Sequence, residues 1–268
     1  LNELADYLSG DQIEALGLDQ GNIEDVYPLS PTQEGMFFHS LEADEPGLYV
    51  NQLNVDVSGL DADRLVRAWQ NMVERHAILR TGFLWQAGMA RPLQLVFTQV
   101  EPEIVQLDWR GKKDALEESL ATYAEQVIKH QIDWLTPPLA WLHLIRLDDD
   151  RYQLIWTRHH ILSDGWAEAR LINEWLASYS EEPLAAVGRP YGDYIRWLQR
   201  QDAALTQAFW TSELAGLEGP TLLAESARQE NEAQGFAKRY TRLGRQDTAL
   251  LKAAAQRQRV TLNTLVQA

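Results

Sequence analysis

The sequence predicts an α/β (α+β) fold packed in layers. Strand-type and helix-type apolar spacings alternate along roughly the first 180 residues, the pattern of sheets covered by helices. A short acidic turn at Asp148, Asp149 and Asp150 separates two strand-like runs, which predicts a hairpin. Apolar residues make up 45% of the chain, enough to build substantial cores.

The elements follow in order. Leu1 to Asp25 reads as a loosely helical leader with turn signals at Gly10 and Gly21, closer to a linker than to a core element. Leu53, Val55 and Val57 alternate with polar residues, as in a strand. Asp61 stands where an N-cap belongs, and Ala62, Leu65, Val66, Trp69, Met72 and Val73 follow at helical spacing. Leu93, Leu95 and Phe97 form another alternating run. Leu116, Leu120, Tyr123, Ala124 and Val127 return to helical spacing. Trp141 to Leu147 and Arg151 to His159 are the strands of the hairpin, and Ala169, Ile172, Leu176 and Tyr179 mark the next helix. Pro183, Gly188 and Pro190 then punctuate the chain, so a boundary between lobes is expected there, with a helix beyond it through Tyr194, Trp197 and Leu198. Leu262, Leu265 and Val266 open an apolar helical pattern in which the sequence stops, and a truncated second lobe is expected.

Composition excludes several classes. There is no Cys, hence no disulfide, thiolate nucleophile, iron–sulfur cluster or Cys-based zinc site, which is compatible with a cytoplasmic location. A net charge of −15 without a basic patch argues against a nucleic-acid partner. No apolar run approaches the roughly 20 residues that span a bilayer, so no membrane association is expected. The acidic start, Leu1 to Leu16, is not a signal peptide. Neither a phosphate-cradling Gly-rich loop nor a His-Glu-x-x-His zinc helix occurs.

The stretch that carries chemistry is Arg158-His159-His160-Ile161-Leu162-Ser163-Asp164-Gly165-Trp166. Side chains alternate across a strand, so if the strand persists to its end His159 and His160 point to opposite faces and would not chelate one metal together. One histidine can then enter a cavity while the other packs in the core. Asp164 falls near the start of a helix, and Gly165, lacking a side chain, admits backbone or substrate closely. A histidine at such a junction suits proton transfer near neutral pH. A purely structural His pair with Asp164 as a helix cap is the competing reading.

His159-His160-x-x-x-Asp164-Gly165 resembles the signature of condensation domains of nonribosomal peptide synthetases. Ser30-Pro31-Thr32-Gln33-Glu34-Gly35-Met36 resembles the first core motif of that family. Arg75-His76-Ala77-Ile78-Leu79-Arg80-Thr81-Gly82-Phe83 resembles the second, with Ala77 where the family usually has an acid. Tyr191-Gly192-Asp193-Tyr194-Ile195-Arg196-Trp197 and Asn263-Thr264-Leu265-Val266-Gln267 resemble later segments in the same order.

The resemblance implies two similar lobes of chloramphenicol acetyltransferase type, each a two-layer sandwich, with a tunnel between them. Residues 1–22 are then a leader, 23–186 the first lobe and 187–268 the start of the second. It implies amide bond formation between a donor peptidyl or acyl thioester and the α-amine of an acceptor aminoacyl thioester. Both substrates ride on phosphopantetheine arms of carrier proteins, and an adenylation domain lies adjacent. The domain itself binds no metal or organic cofactor. His160 is implied as the reactive group, either taking a proton or orienting the amine. Asp164 is implied to pair with Arg80 and hold the loop in shape. Gly165 keeps the tunnel open, and His159 is structural. The first motif followed by Phe37-Phe38-His39 resembles domains that take a donor ending in a D-residue and an L-acceptor. Other acyltransferases of the same fold, epimerisation relatives and a non-catalytic recruitment module are the alternatives. The matches at Ser30 to Met36 and Arg75 to Phe83 disfavour the other acyltransferases, the first motif and Trp166 disfavour the epimerisation relatives, and the intact His160, Asp164 and Gly165 disfavour a decayed module.

Overall fold

The computed structural model describes residues 4–43, 46–86, 88–112, 114–219 and 241–267. These residues fall into two compact units, Leu1–Ala203 and Ala204–Ala268.

The first unit is built on two sheets. One has three strands in the order β1 (Ile23–Pro28), β4 (Leu93–Phe97), β3 (Thr81–Leu84), antiparallel throughout. The other has four in the order β2 (Val50–Ser58), β7 (Arg151–His159), β6 (Ala140–Arg146), β5 (Ile104–Asp108). The expected hairpin is β6–β7, paired from Arg146 with Tyr152 to Ala140 with Arg158. β5 runs parallel to β6, and α4 (Leu116–Ile128) makes the crossover that a parallel pair requires.

Alternation along β7 feeds two cores. Leu154 and Trp156 face α3 (Ala62–Arg75) and α5 (Gly165–Tyr179), whereas Ile155 meets Ala124 of α4. Three indoles close the larger core: Trp69 of α3, Trp156 of β7 and Trp175 of α5, with ring centroids 5.0–5.8 Å apart. α3 begins as the sequence predicts, with the Asp61 carboxylate accepting from Arg64 N at 3.0 Å.

The leader behaves differently from a linker. Leu4, Leu8 and Ile13 are buried against Val26, Leu84, Leu93 and Leu95. The short helix α1 (Gly10–Ala15) is held by a capping box between Ser9 and Gln12. Beyond the punctuated run at 181–190, α6 (Tyr191–Gln199) lies on β1. A Cβ at Gly192 would stand 2.8 Å from Asp25 Oδ2 and 2.9 Å from the Tyr27 ring, so only glycine permits this approach.

The second unit contains α7 (Ala203–Glu213), α8 (Arg245–Gln258) and α9 (Leu262–Gln267), the last covering the expected terminal helical pattern. Among the described residues no helix is long and apolar enough to cross a membrane.

Candidate active site

β7 delivers both histidines to one end of the four-stranded sheet. His159 is the last residue of the strand and is fully buried, while His160 opens a turn and is partly exposed. The strand ends at His159, so alternation does not reach His160; the two differ in burial, one enclosed and the other partly exposed.

His159 is enclosed by aromatic and polar neighbours. The Trp134 ring packs edge-on at 5.0 Å and the Tyr49 ring at 6.2 Å. Its Nδ1 accepts from the Ile161 amide at 3.1 Å, so this nitrogen carries no proton. The neutral ring then bears its hydrogen on Nε2, 3.1 Å from Ser40 Oγ. Burial pushes its pKa down to about 4, with His160 adding to the shift and a hydrogen bond to the Leu48 backbone opposing it. His159 is thus a neutral histidine at ordinary pH.

His160 is held by its backbone instead. Its amide donates to Tyr49 O at 2.7 Å, extending the β2–β7 ladder past the strand end. The ring's Nδ1 is buried and has no hydrogen-bond partner among the described residues, so none of them commits it to a structural bond. Among the described residues no cluster of three or more His, Asp or Glu is arranged to hold a metal ion.

Asp164 is the N-cap of α5, and its carboxylate accepts from Ala167 N at 2.8 Å. The expected pairing with Arg80 does not form. Arg80 is buried at the other sheet, where Nη1 meets Glu24 Oε2 at 2.6 Å and the carbonyls of Phe97 and Thr98. The physical reason is local. Arg80 ends a 3-10 turn just before β3, beside the carbonyl end of β4 and the start of β1, so an acid of β1 reaches it first. Asp164 stands at the end of the other sheet with its carboxylate engaged in capping. Gly165 starts α5 exposed, and a Cβ there would meet nothing within 4 Å.

Other groups brace the turn. Arg158 is buried, pairs with Glu168 of α5 and stacks over the Trp156 ring at 4.2 Å, tying the strand end to the helix start. Glu174 of α5 receives Arg75 at 2.9 Å and His76 at 3.0 Å, so a distant acid serves the motif whose own position 77 is Ala. Gln33 Nε2 reaches the Ile161 carbonyl at 3.3 Å. The alternation signalled that Arg158 faced an apolar core. Nothing in the local sequence named its partner, nor those of Gln33 and Ser40.

The family model described as "Condensation domain" matches residues 23–268. One component of the linear gramicidin synthase of Brevibacillus parabrevis is 40% identical over 254 residues, covering 91% of this chain and 5% of that protein. Chondramide synthase cmdD of Chondromyces crocatus is 33% identical, covering 96% of this chain and 8% of that one. The chain thus spans a small fraction of the length of these relatives. Among solved structures, the condensation domain from Monacolin K polyketide synthase MokA superimposes with a TM-score of 0.68 at 19% identity. That match covers 90% of this chain and 57% of the other. The EpoB cyclization-docking bidomain from Sorangium cellulosum gives 0.62 at 25% identity, covering 71% and 39%. These folds are of chloramphenicol acetyltransferase type, as the motifs implied. With the His-His-x-x-x-Asp-Gly turn in place at the end of β7, the chain belongs to the condensation-domain family.

Proposed function

We propose that this chain supplies the His160 half of an active site that joins two carrier-bound substrates. The α-amine of an aminoacyl thioester attacks the donor peptidyl or acyl thioester, forming the amide and releasing the donor carrier's thiol. Both acyl groups arrive as substrates on phosphopantetheine arms of carrier proteins, with an adenylation domain as neighbour. In this reading residues 23–186 form the first lobe and the second begins at 187.

The observation that carries the reading is the unequal treatment of the histidine pair. The fold buries His159 as a neutral brace, while His160 stands partly exposed on a turn fixed through its backbone. His160 either accepts the proton lost by the attacking ammonium or orients the amine by a hydrogen bond. An α-amine titrates at about 7.7–8, so a weak base suffices. Placing amine and thioester in contact supplies much of the acceleration. Asp164 shapes the start of α5, and Gly165 leaves open space beside it. Arg80 supports the fold from the three-stranded sheet.

The test is single-turnover dipeptide formation between loaded carrier proteins, comparing wild type with His160→Ala in the synthetase carrying this chain. General acid–base catalysis is worth about 10²–10⁴-fold, and a loss in that range supports proton transfer. A loss of only a few-fold assigns His160 to positioning. A folded variant at the wild-type rate overturns the assignment. The same assay run with D- and L-terminated donors tests the proposed D-donor, L-acceptor subtype, which rests on the first motif and Phe37-Phe38-His39.

A further inference from the structure

The helix α2 (Pro31–Glu42) directs one face at the turn that carries His160. Gln33, Phe37 and Ser40 recur at helical spacing, and all three are engaged. Gln33 reaches Ile161 O, Phe37 is buried against the Trp134 ring at 4.7 Å, and Ser40 meets His159.

The Gln33 carboxamide has no freedom to turn over. Pro28 O is an acceptor only, so it fixes Gln94 Nε2 as the donor, at 3.2 Å. Gln94 Oε1 must then face Gln33 Nε2, at 3.1 Å. That leaves Gln33 Oε1 to accept from Gln94 Nε2 at 3.0 Å, from Ser30 N at 3.0 Å and from Tyr191 OH at 3.4 Å. The remaining Nε2 hydrogen goes to the Ile161 carbonyl. Ser30, Gln33, Gln94 and Ile161 are buried, where an unmet polar group costs about 1–3 kcal/mol, so the arrangement resists change.

Two roles of Gln33 separate by atom. Oε1 closes the helix capping box with Ser30, a task that Glu performs as well as Gln. Nε2 serves the turn, and only an amide performs that at neutral pH. We propose that Gln33 is a positioning residue for amide bond formation: its Nε2, locked by Gln94, holds the Ile161 carbonyl and so fixes the turn bearing His160, while Ser40 on the same helix face holds the His159 ring. This rests on the function proposed above for His160.

Gln33→Glu isolates the positioning role. The introduced carboxyl keeps the capping bond and, carrying at most one hydrogen in place of two, loses at least one of the two donor bonds. Single-turnover dipeptide formation is expected to fall about tenfold or more with unchanged half-saturation by either carrier protein, because small misplacements of reacting groups are costly. The loss is expected to shrink as pH falls and the introduced carboxyl regains a donor hydrogen. A helix-cap role alone predicts the wild-type rate and overturns the proposal, as does a loss confined to half-saturation. Ser40→Ala, with Ser40→Thr expected to recover the rate, provides the same decision if Gln33→Glu does not fold. Amide NMR signals give a readout independent of activity. Those of His160, Ile161 and Leu162 are expected to move in both variants while that of Leu171 in α5 stays. Unmoved turn signals overturn the proposal even where rates fall. An inactive wild type would refute the catalytic reading, and the NMR result would still decide the positioning one.

Discussion

Arg80 Nη1 lies 2.6 Å from Glu24 Oε2, and this pair spans the end of the three-stranded sheet, from β1 across the end of β4 to the residue before β3. The arginine side chain is 9% exposed and the glutamate 49%. The asymmetry decides what each substitution costs. Arg80→Met removes a buried cation and leaves the Phe97 and Thr98 carbonyls without it, so urea denaturation should show a loss of about 2–3 kcal/mol. That is below the 3–5 of a fully buried pair because Glu24 regains water. Glu24→Gln should cost about 1 kcal/mol or less, since the amide still accepts from Arg80. A double-mutant cycle between Arg80 and Asp164 should give coupling within about 0.5 kcal/mol, the limit for independent sites. Coupling well above that would restore the pairing that the sequence motifs imply.

Asp164 makes its contribution as a cap. Asp164→Ala should lower stability by about 1 kcal/mol, and Asp164→Ser should recover most of it, because a hydroxyl also accepts from the third helical amide. Thermal denaturation of the two variants checks this. Equal losses for Ala and Ser would show that the charge matters through some partner other than Ala167 N.

What the sequence disclosed follows the reach of each interaction. The Asp61 cap and the β6–β7 hairpin are readable because their partners lie within a few residues, whereas alternation stops short of His160, which lies in the turn after β7. The motifs implied the family and its fold. The leader reads as linker-like because Leu4, Leu8 and Ile13 are spaced among acids and short of a full amphipathic helix. Their burial depends on β1 and β4, far along the chain. The short β1 and β3 gave no clean alternation, since Val26 and Tyr27 are both buried, as are all four residues of β3. Arg80 illustrates the remaining limit. Its motif was recognised, but its partner depends on which sheet edge it reaches.

The three indoles of the large core should behave as one unit. Trp69 and Trp156 are fully enclosed, and Trp175 is 3% exposed. Trp69→Ala should cost about 3–5 kcal/mol, the usual loss for a large buried aromatic. Trp175→Ala combined with it should cost less than the sum, because the rings stand 5.0 Å apart and share one cavity. Strict additivity in chemical denaturation would contradict the shared packing.

His159 sets an acid limit on stability. Its folded-state pKa is lowered from 6.5 to about 4, chiefly by burial. Above pH 6.5 the ring is neutral in both states and stability is independent of this group. Between 6.5 and about 4 the unfolded chain binds a proton that the folded chain refuses, so stability falls as pH falls, and below about 4 the decline from this residue levels off. At 1.36 kcal/mol per unit, the full loss is on the order of 3 kcal/mol. His76 and His143 are lowered in the same direction by burial, so they add to the slope and remain in any variant. Subtracting curves isolates His159. His159→Gln should be less stable than wild type at pH 7, having lost the ring packing on Trp134, and the gap should narrow by about 2–3 kcal/mol towards pH 4. The measurement is urea denaturation of both proteins at half-unit pH steps. Parallel curves would mean that His159 takes up its proton in the folded state, and the neutral, Ser40-bonded ring inferred from its hydrogen bonds would then be wrong.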